Sequence, residues 1–122
     1  MDPAELISRC AAEIEGAAEG EGAFSPGPAL WAGRTEVAHM DSDGHLDVRL
    51  TKKLISDRRA ALRADPRVIL RRGTSDWLAV DAAADIDFAI ALVRQAVLAN
   101  LPAADPGPPP TGAELARRRR FH

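Results

Sequence analysis

Apolar positions recur in two rhythms along the chain. Between Thr35 and Leu50 the period is two: Ala38, Met40, Leu46, Val48 and Leu50 alternate with Val37, His39, Asp41, His45, Asp47 and Arg49, as on strands with two distinct faces. Ser42-Asp43-Gly44 between them reads as a three-residue hairpin loop with Gly44 in the left-handed position. That loop sets Asp41 against His45, His39 against Asp47 and Val37 against Arg49, so one face is apolar and the other is a His/Asp/Arg patch. A two-residue Asp43-Gly44 loop would instead set Asp41 against Leu46 and Met40 against Asp47. It would mix charge and hydrocarbon on both faces and is rejected on that ground.

The other rhythm is helical. Asp2-Pro3-Ala4-Glu5 is a capped helix start, followed by the stripe Leu6, Ile7, Cys10 and Ile14. This helix is predicted to end near Gly20, with a Gly/Pro/Glu-rich loop to Pro28. A short strand at Ala29 to Trp31 then turns at Ala32-Gly33 into the strand of Arg34 to Met40. Thr51 caps a helix to Ala64 with Leu54, Ile55 and Leu62 facing inward, and Pro66 stops it. Val68 to Arg72 and Trp77 to Val80 form a second hairpin across Gly73-Thr74-Ser75. Asp85 caps a last helix striped by Ile86, Ala89, Ile90, Val93, Ala96 and Val97. Phe88 and Leu92 widen its apolar surface, so that helix is either wedged between elements or faces a partner in a homodimer. The order α-β-β-β-α-β-β-α predicts an α+β fold, a single antiparallel sheet of about five strands packed against helices. Residues 1–101 are expected to form one domain, and ADPGPPPTG from residue 104 predicts a flexible Pro-rich tail over 102–122.

Composition narrows the function classes. A chain of 122 residues supports one modest core, and with 4% aromatic residues and no Tyr that core must come from Leu, Val, Ile and Ala. A net charge of −2 speaks against general nucleic-acid affinity, leaving only weak contacts by Arg117 to Arg120, whose plainer reading is a solvated tail. Cys10 is the only cysteine, which rules out an internal disulfide and makes a small core residue of it. MDPAEL lacks a signal-peptide pattern, and no apolar run of about 18 residues stands out, so a soluble cytoplasmic protein is expected. There is no Gly-rich phosphate loop, no HExxH and no GxSxG.

The chemistry-bearing residues cluster on the polar hairpin face, where His39, Asp41, His45 and Asp47 converge and Arg49 follows. An adjacent carboxylate can hold an imidazole near neutral titration, and Arg49 can grip an anion by its fork. Cross-strand ion pairs in solvent explain the same pattern. Iron or manganese held by two His and a carboxylate is a third reading, but nothing in the sequence orients the imidazoles and no metal is assigned. Trp31 and Trp77 either wall a pocket for a planar ligand or fill the core.

The runs GRTEVAHMDSDGHLDVRL, SDWLAVD and DFAIALVRQAV resemble bacterial luciferase-domain proteins over roughly residues 24 to 100. The resemblance rests on a strand ending in Ala-His-Met, a turn, an alternating strand, and a Trp-bearing strand before the last helix. It implies the domain type of the luciferase of bioluminescent fungi, which oxidises a hydroxypyrone luciferin with molecular oxygen and without flavin, metal or nucleotide. It therefore implies a cofactor-independent oxygenase in which a base removes an acidic enol proton and the anion meets oxygen. On that resemblance His39 is the base, Asp47 orients it, Asp41 is a further proton acceptor, and Arg49 steadies the substrate anion. His45, Trp31 and Trp77 complete the substrate contacts. Relatives usually carry Ala-His-x-His here, and this chain has Asp41 in place of the second His; an ionised Asp accepts hydrogen bonds but cannot donate them. A non-catalytic module that binds a small molecule or a protein partner is the alternative.

Overall fold

Asp2 caps the first helix as its position demands: its Oδ1 accepts the Glu5 N–H at 3.0 Å. The computed structural model describes residues 2–24, 26–41 and 43–120. In it α1 (Pro3–Glu13) buries Leu6, Ile7 and Cys10 and stops well short of Gly20. Ile14 is extended, and Gly16 turns the chain at φ +85°, a conformation that a side chain would strain. Residues expected as helix end and loop therefore form an edge strand, β1 (Ala17–Glu21), antiparallel to β2 (Pro28–Ala32). Gly20 belongs there for close approach, since a Cβ would stand 3.0 Å from the Trp31 indole and 2.9 Å from Pro109.

The sheet continues through β3 (Thr35–Met40), β4 (Leu46–Arg49), β5 (Val68–Leu70) and β6 (Trp77–Val80), in the order β1-β2-β3-β4-β6-β5 with every pairing antiparallel. The fold is α+β, with six strands. The hairpin register is the three-residue one: His39 faces Asp47, the Asp41 N–H reaches the His45 carbonyl at 2.8 Å, and Gly44 has φ +82°. Ser42, assigned to the loop from sequence, lies outside the described residues.

The helix expected over 51–64 is two, α2 (Lys52–Asp57) and α3 (Arg59–Ala64), broken at Arg58 and started by Thr51, whose Oγ1 accepts the Leu54 N–H. Asp85 caps α4 (Ile86–Asn100) through the Phe88 N–H at 3.0 Å. The helices bury Leu6, Ile7, Ile55, Leu62, Ile90, Val93 and Val97 against Leu30, Ala38, Leu46, Val48, Leu78 and Val80 of the sheet. Leu92 is part of this core and Phe88 packs against it under the Arg67 guanidinium, 3.7 Å from the ring centroid. Phe88 and Leu92 of α4 thus pack within the chain, while Leu98 on the same helix is 65% exposed. Ile86–Ala103 is, by length and composition, apolar enough to cross a membrane, a test that core helices also pass.

The chain beyond Asn100 departs from the flexible tail expected there. After a short turn at Leu101–Ala103 it runs back over the opposite face of the sheet and forms α5 (Gly112–Arg120). Thr111 and Glu114 make a reciprocal capping box: the Glu114 N–H donates to Thr111 Oγ1 at 3.1 Å and the Thr111 N–H to Glu114 Oε1 at 3.3 Å. Leu115 is buried against Ala29 and Trp31. Arg34 anchors the segment through Glu114, the Pro108 carbonyl and its own N–H to the Asp105 carbonyl. The prolines hold the connection extended, and the cap and one buried Leu fix the helix. Phe121 and His122 lie outside the described residues.

Candidate functional site

Strict alternation would put Glu36 and His39, three residues apart, on opposite faces of β3. A β-bulge changes this: Trp31 faces Glu36 while its neighbour Leu30 faces Ala38, leaving Val37 as the extra residue. Val37 and Ala38 both enter the helix-covered core, and Glu36 joins His39 on the other face.

There His39 lies between two carboxylates, Nδ1 at 3.2 Å from Glu36 Oε2 and Nε2 at 3.2 Å from Asp47 Oδ2. All three are buried, with Glu36 3%, His39 7% and Asp47 5% exposed. The Glu36 contact has ion-pair distance but not hydrogen-bond alignment, because neither His39 Nδ1 nor Glu36 Oε2 has a partner in line. The remaining carboxylate oxygens are held from outside: Glu36 Oε1 accepts the Ala23 N–H and Asp47 Oδ1 accepts Arg71 Nη2, each at 2.7 Å. Burial lowers the proton affinity of His39, but Glu36 and Asp47 together outweigh it, and the pKa stands above the ordinary value of 6.5. With His39 protonated, two carboxylates meet two cations and the buried cluster is neutral.

A cavity of about 270 Å³ opens over this cluster, lined by Phe24, His39, Asp47, Arg71, Ser75 and Trp77. It is open to solvent, and the rings along it pack on one another: His39 and Trp77 centroids are 5.0 Å apart, and Phe24 meets Trp77 edge-on at 5.6 Å. Phe24 is 67% exposed and forms the outer wall. The site combines flat apolar walls, a proton-holding imidazole–carboxylate pair and an arginine, which suits a small planar anion.

Of the residues expected from sequence, His39, Asp47 and Trp77 come together here. Asp41 and His45 stand apart from the cavity lining, 3.8 Å from one another, with Asp41 Oδ1 holding the hairpin loop through the N–H groups of Asp43 and His45. Asp41, Asp43 and His45 bring potential ligand atoms within 4.8 Å of one another, an exposed grouping common without a metal. Arg49 is 3.6 Å from Asp76 and does not line the cavity. Trp31 lies beneath α5 and donates its Nε1–H to the Glu21 carbonyl at 3.1 Å, so it is a packing residue and not a cavity wall. Sequence reasoning missed Glu36, Phe24, Arg71 and Ser75. Only the bulge brings in Glu36, and the other three come from strand ends and loops without periodicity.

The luciferase-domain family model matches residues 34–96, from β3 into α4, and the match contains Glu36, His39, Asp47, Arg71, Ser75 and Trp77. The chain belongs to the luciferase-domain family. Searches of curated proteins and of solved structures return no match. In this luciferase-domain chain Phe24, Trp31 and α5 lie outside the matched stretch, so one wall of the cavity is supplied from beyond it.

Proposed function

We propose that this luciferase-domain chain binds a small planar acidic enol, of the hydroxypyrone kind, over His39 and oxygenates it without a cofactor. The observation that carries the reading is the cavity whose floor is a buried imidazole between two carboxylates and whose wall is Trp77. A flat conjugated ring stacks on the indole. Arg71 has one Nη on Asp47 and, with its side chain 48% exposed, retains N–H donors for an enolate oxygen. Asp47 lines the cavity and touches His39 Nε2, so a proton leaving the enol has a route to this pair when His39 is neutral. The enolate is the stronger electron donor: its carbon gives two electrons to molecular oxygen, the co-substrate, a carbon–oxygen bond forms as the O=O double bond becomes the O–O single bond of a peroxide, and the proton held by the His39–Asp47 pair returns to the outer peroxide oxygen. Proton uptake by the pair switches on as pH rises through the elevated His39 pKa.

One observation favours a second reading, a non-catalytic binding module. Both imidazole nitrogens already face carboxylates, which suits a charged anchor better than a free base. NMR titration of His39 with and without hydroxypyrones, followed by oxygen-uptake assays on the wild type and His39→Ala, separates the two. Ligand-induced shifts at His39 with oxygen uptake that disappears in the variant support the oxygenase. Shifts without uptake leave the binding module, and no shifts refute both.

A further inference from the structure

A second cavity, of about 310 Å³, lies between α3 and the β5–β6 hairpin and is lined by Arg59, Arg63, Val68, Leu70, Arg71, Arg72 and Gly73. Four arginines meet there and no carboxylate lines it. The chain as a whole has 16 Lys and Arg against 18 Asp and Glu, so this concentration runs opposite to its overall balance. Outside the cavity Arg9 pairs with Glu13, Arg34 with Glu114, Arg49 with Asp76, Arg58 with Gln95, and Arg67 with Asp65 and Asp85, whereas Arg94 and Arg117 stand singly in solvent. Among the described residues Arg59, Arg63 and Arg72 have no hydrogen bond or ion pair through their guanidinium groups.

Arg59 and Arg63 stand one helical turn apart, a spacing at which like charges repel. Arg71 and Arg72 approach them from the hairpin, which turns at Gly73 with φ +72°. An acidic neighbour would relieve this repulsion, and none lines the cavity. A bound anion relieves it equally well. Guanidinium groups present planar forks that fit the oxygens of a phosphate, and the apolar floor of Val68 and Leu70 keeps water from screening one side. We propose that this cavity is a binding site for a small phosphate-type dianion, free or as an ester. The site is distinct from the one over His39 and stands whether or not that one is catalytic. The two share Arg71, whose Nη2 holds Asp47 at 2.7 Å while its side chain also lines the arginine cavity.

Isothermal titration of the whole chain with inorganic phosphate, pyrophosphate and phenyl phosphate at constant ionic strength tests the proposal. Arg63→Gln/Arg72→Gln is the site variant, each single substitution is measured beside it, and Arg94→Gln on α4 controls for loss of charge. Saturable binding of one anion per chain is expected, weakened about tenfold or more by the double variant, less by each single, and unchanged by Arg94→Gln. Tighter binding of phenyl phosphate than of the inorganic ions marks an ester site; the reverse order marks a free-anion site. Either supports the assignment. No saturable binding, equal weakening by Arg94→Gln, or much tighter binding of a single-stranded oligonucleotide than of any small anion overturns it.

Discussion

Replacing Asp47 by Asn removes a buried charge while leaving the shape of the side chain almost unchanged. Removing one partner of a buried ion pair costs about 3–5 kcal/mol when the other stays charged and buried. Here both partners have an escape. The Arg71 side chain is 48% exposed and rehydrates, and the Asn oxygen still accepts its hydrogen bond. His39 keeps Glu36 at 3.2 Å and can shed its proton. The expected loss is therefore about 1–2 kcal/mol near pH 5.5, where His39 is charged, and below about 1 kcal/mol near pH 8.5. The sign follows from the elevated pKa of His39. Its contribution to stability is fully present below the unfolded value of 6.5 and disappears as pH rises through the folded value, and Asp47→Asn shrinks that contribution. Urea unfolding at both pH values, with NMR titration of the His39 ring, measures the effect. An equal loss at the two pH values, or a wild-type His39 that titrates below 6.5, would refute the reasoning.

Two other perturbations probe the ends of the chain. Leu115→Ala removes the buried side chain that seats α5 on Ala29 and Trp31, at a cost of about 2 kcal/mol, the low end for a buried Leu because the helix can undock alone. Limited trypsinolysis after Arg117 and Arg118 should accelerate, and Trp31 emission in a Trp77→Phe background should move to longer wavelength; an unchanged cleavage rate contradicts the docking. Cys10 is 1% exposed, and burial pushes its thiol up to about 11, with Glu13 adding to the rise. At neutral pH it should react with thiol reagents only as fast as the fold opens, a rate that climbs with urea, and rapid labelling in native buffer would contradict its burial.

The hairpin was readable in the sequence because two independent signals agree, period-two alternation on both arms and a Gly where the loop needs a left-handed residue. With the register came the pairing of His39 with Asp47. β1 was not readable, since Ala-Ala-Glu-Gly-Glu has neither alternation nor branched residues and pairs mainly by backbone. Glu36 was invisible for the opposite reason: the alternation rule is sound, and a bulge at Val37 suspends it. The signal for α5 was present in Thr111-Gly-Ala-Glu114, a capping box overshadowed by the prolines before it. Arg49, expected to grip an anion, is paired with Asp76, and Arg71 occupies the cavity because the predicted β5–β6 hairpin pairs through β6 with β4, a neighbour relation that the order of residues does not state.

The extra residue in β3 turns the site into a matter of counting. Deleting Val37 would change no charged group, and it would leave Glu36 and His39 two residues apart, the spacing at which a regular strand points both the same way. The loss would fall on the core, which gives up the buried Val37 side chain, and on the local twist that the bulge adds. For this segment it is the spacing and the bulge taken together that decide which face Glu36 takes. The triad would be lost if the bulge straightened with all its residues in place, because Glu36 would then turn into the hydrocarbon beneath the helices, where no cation waits for it.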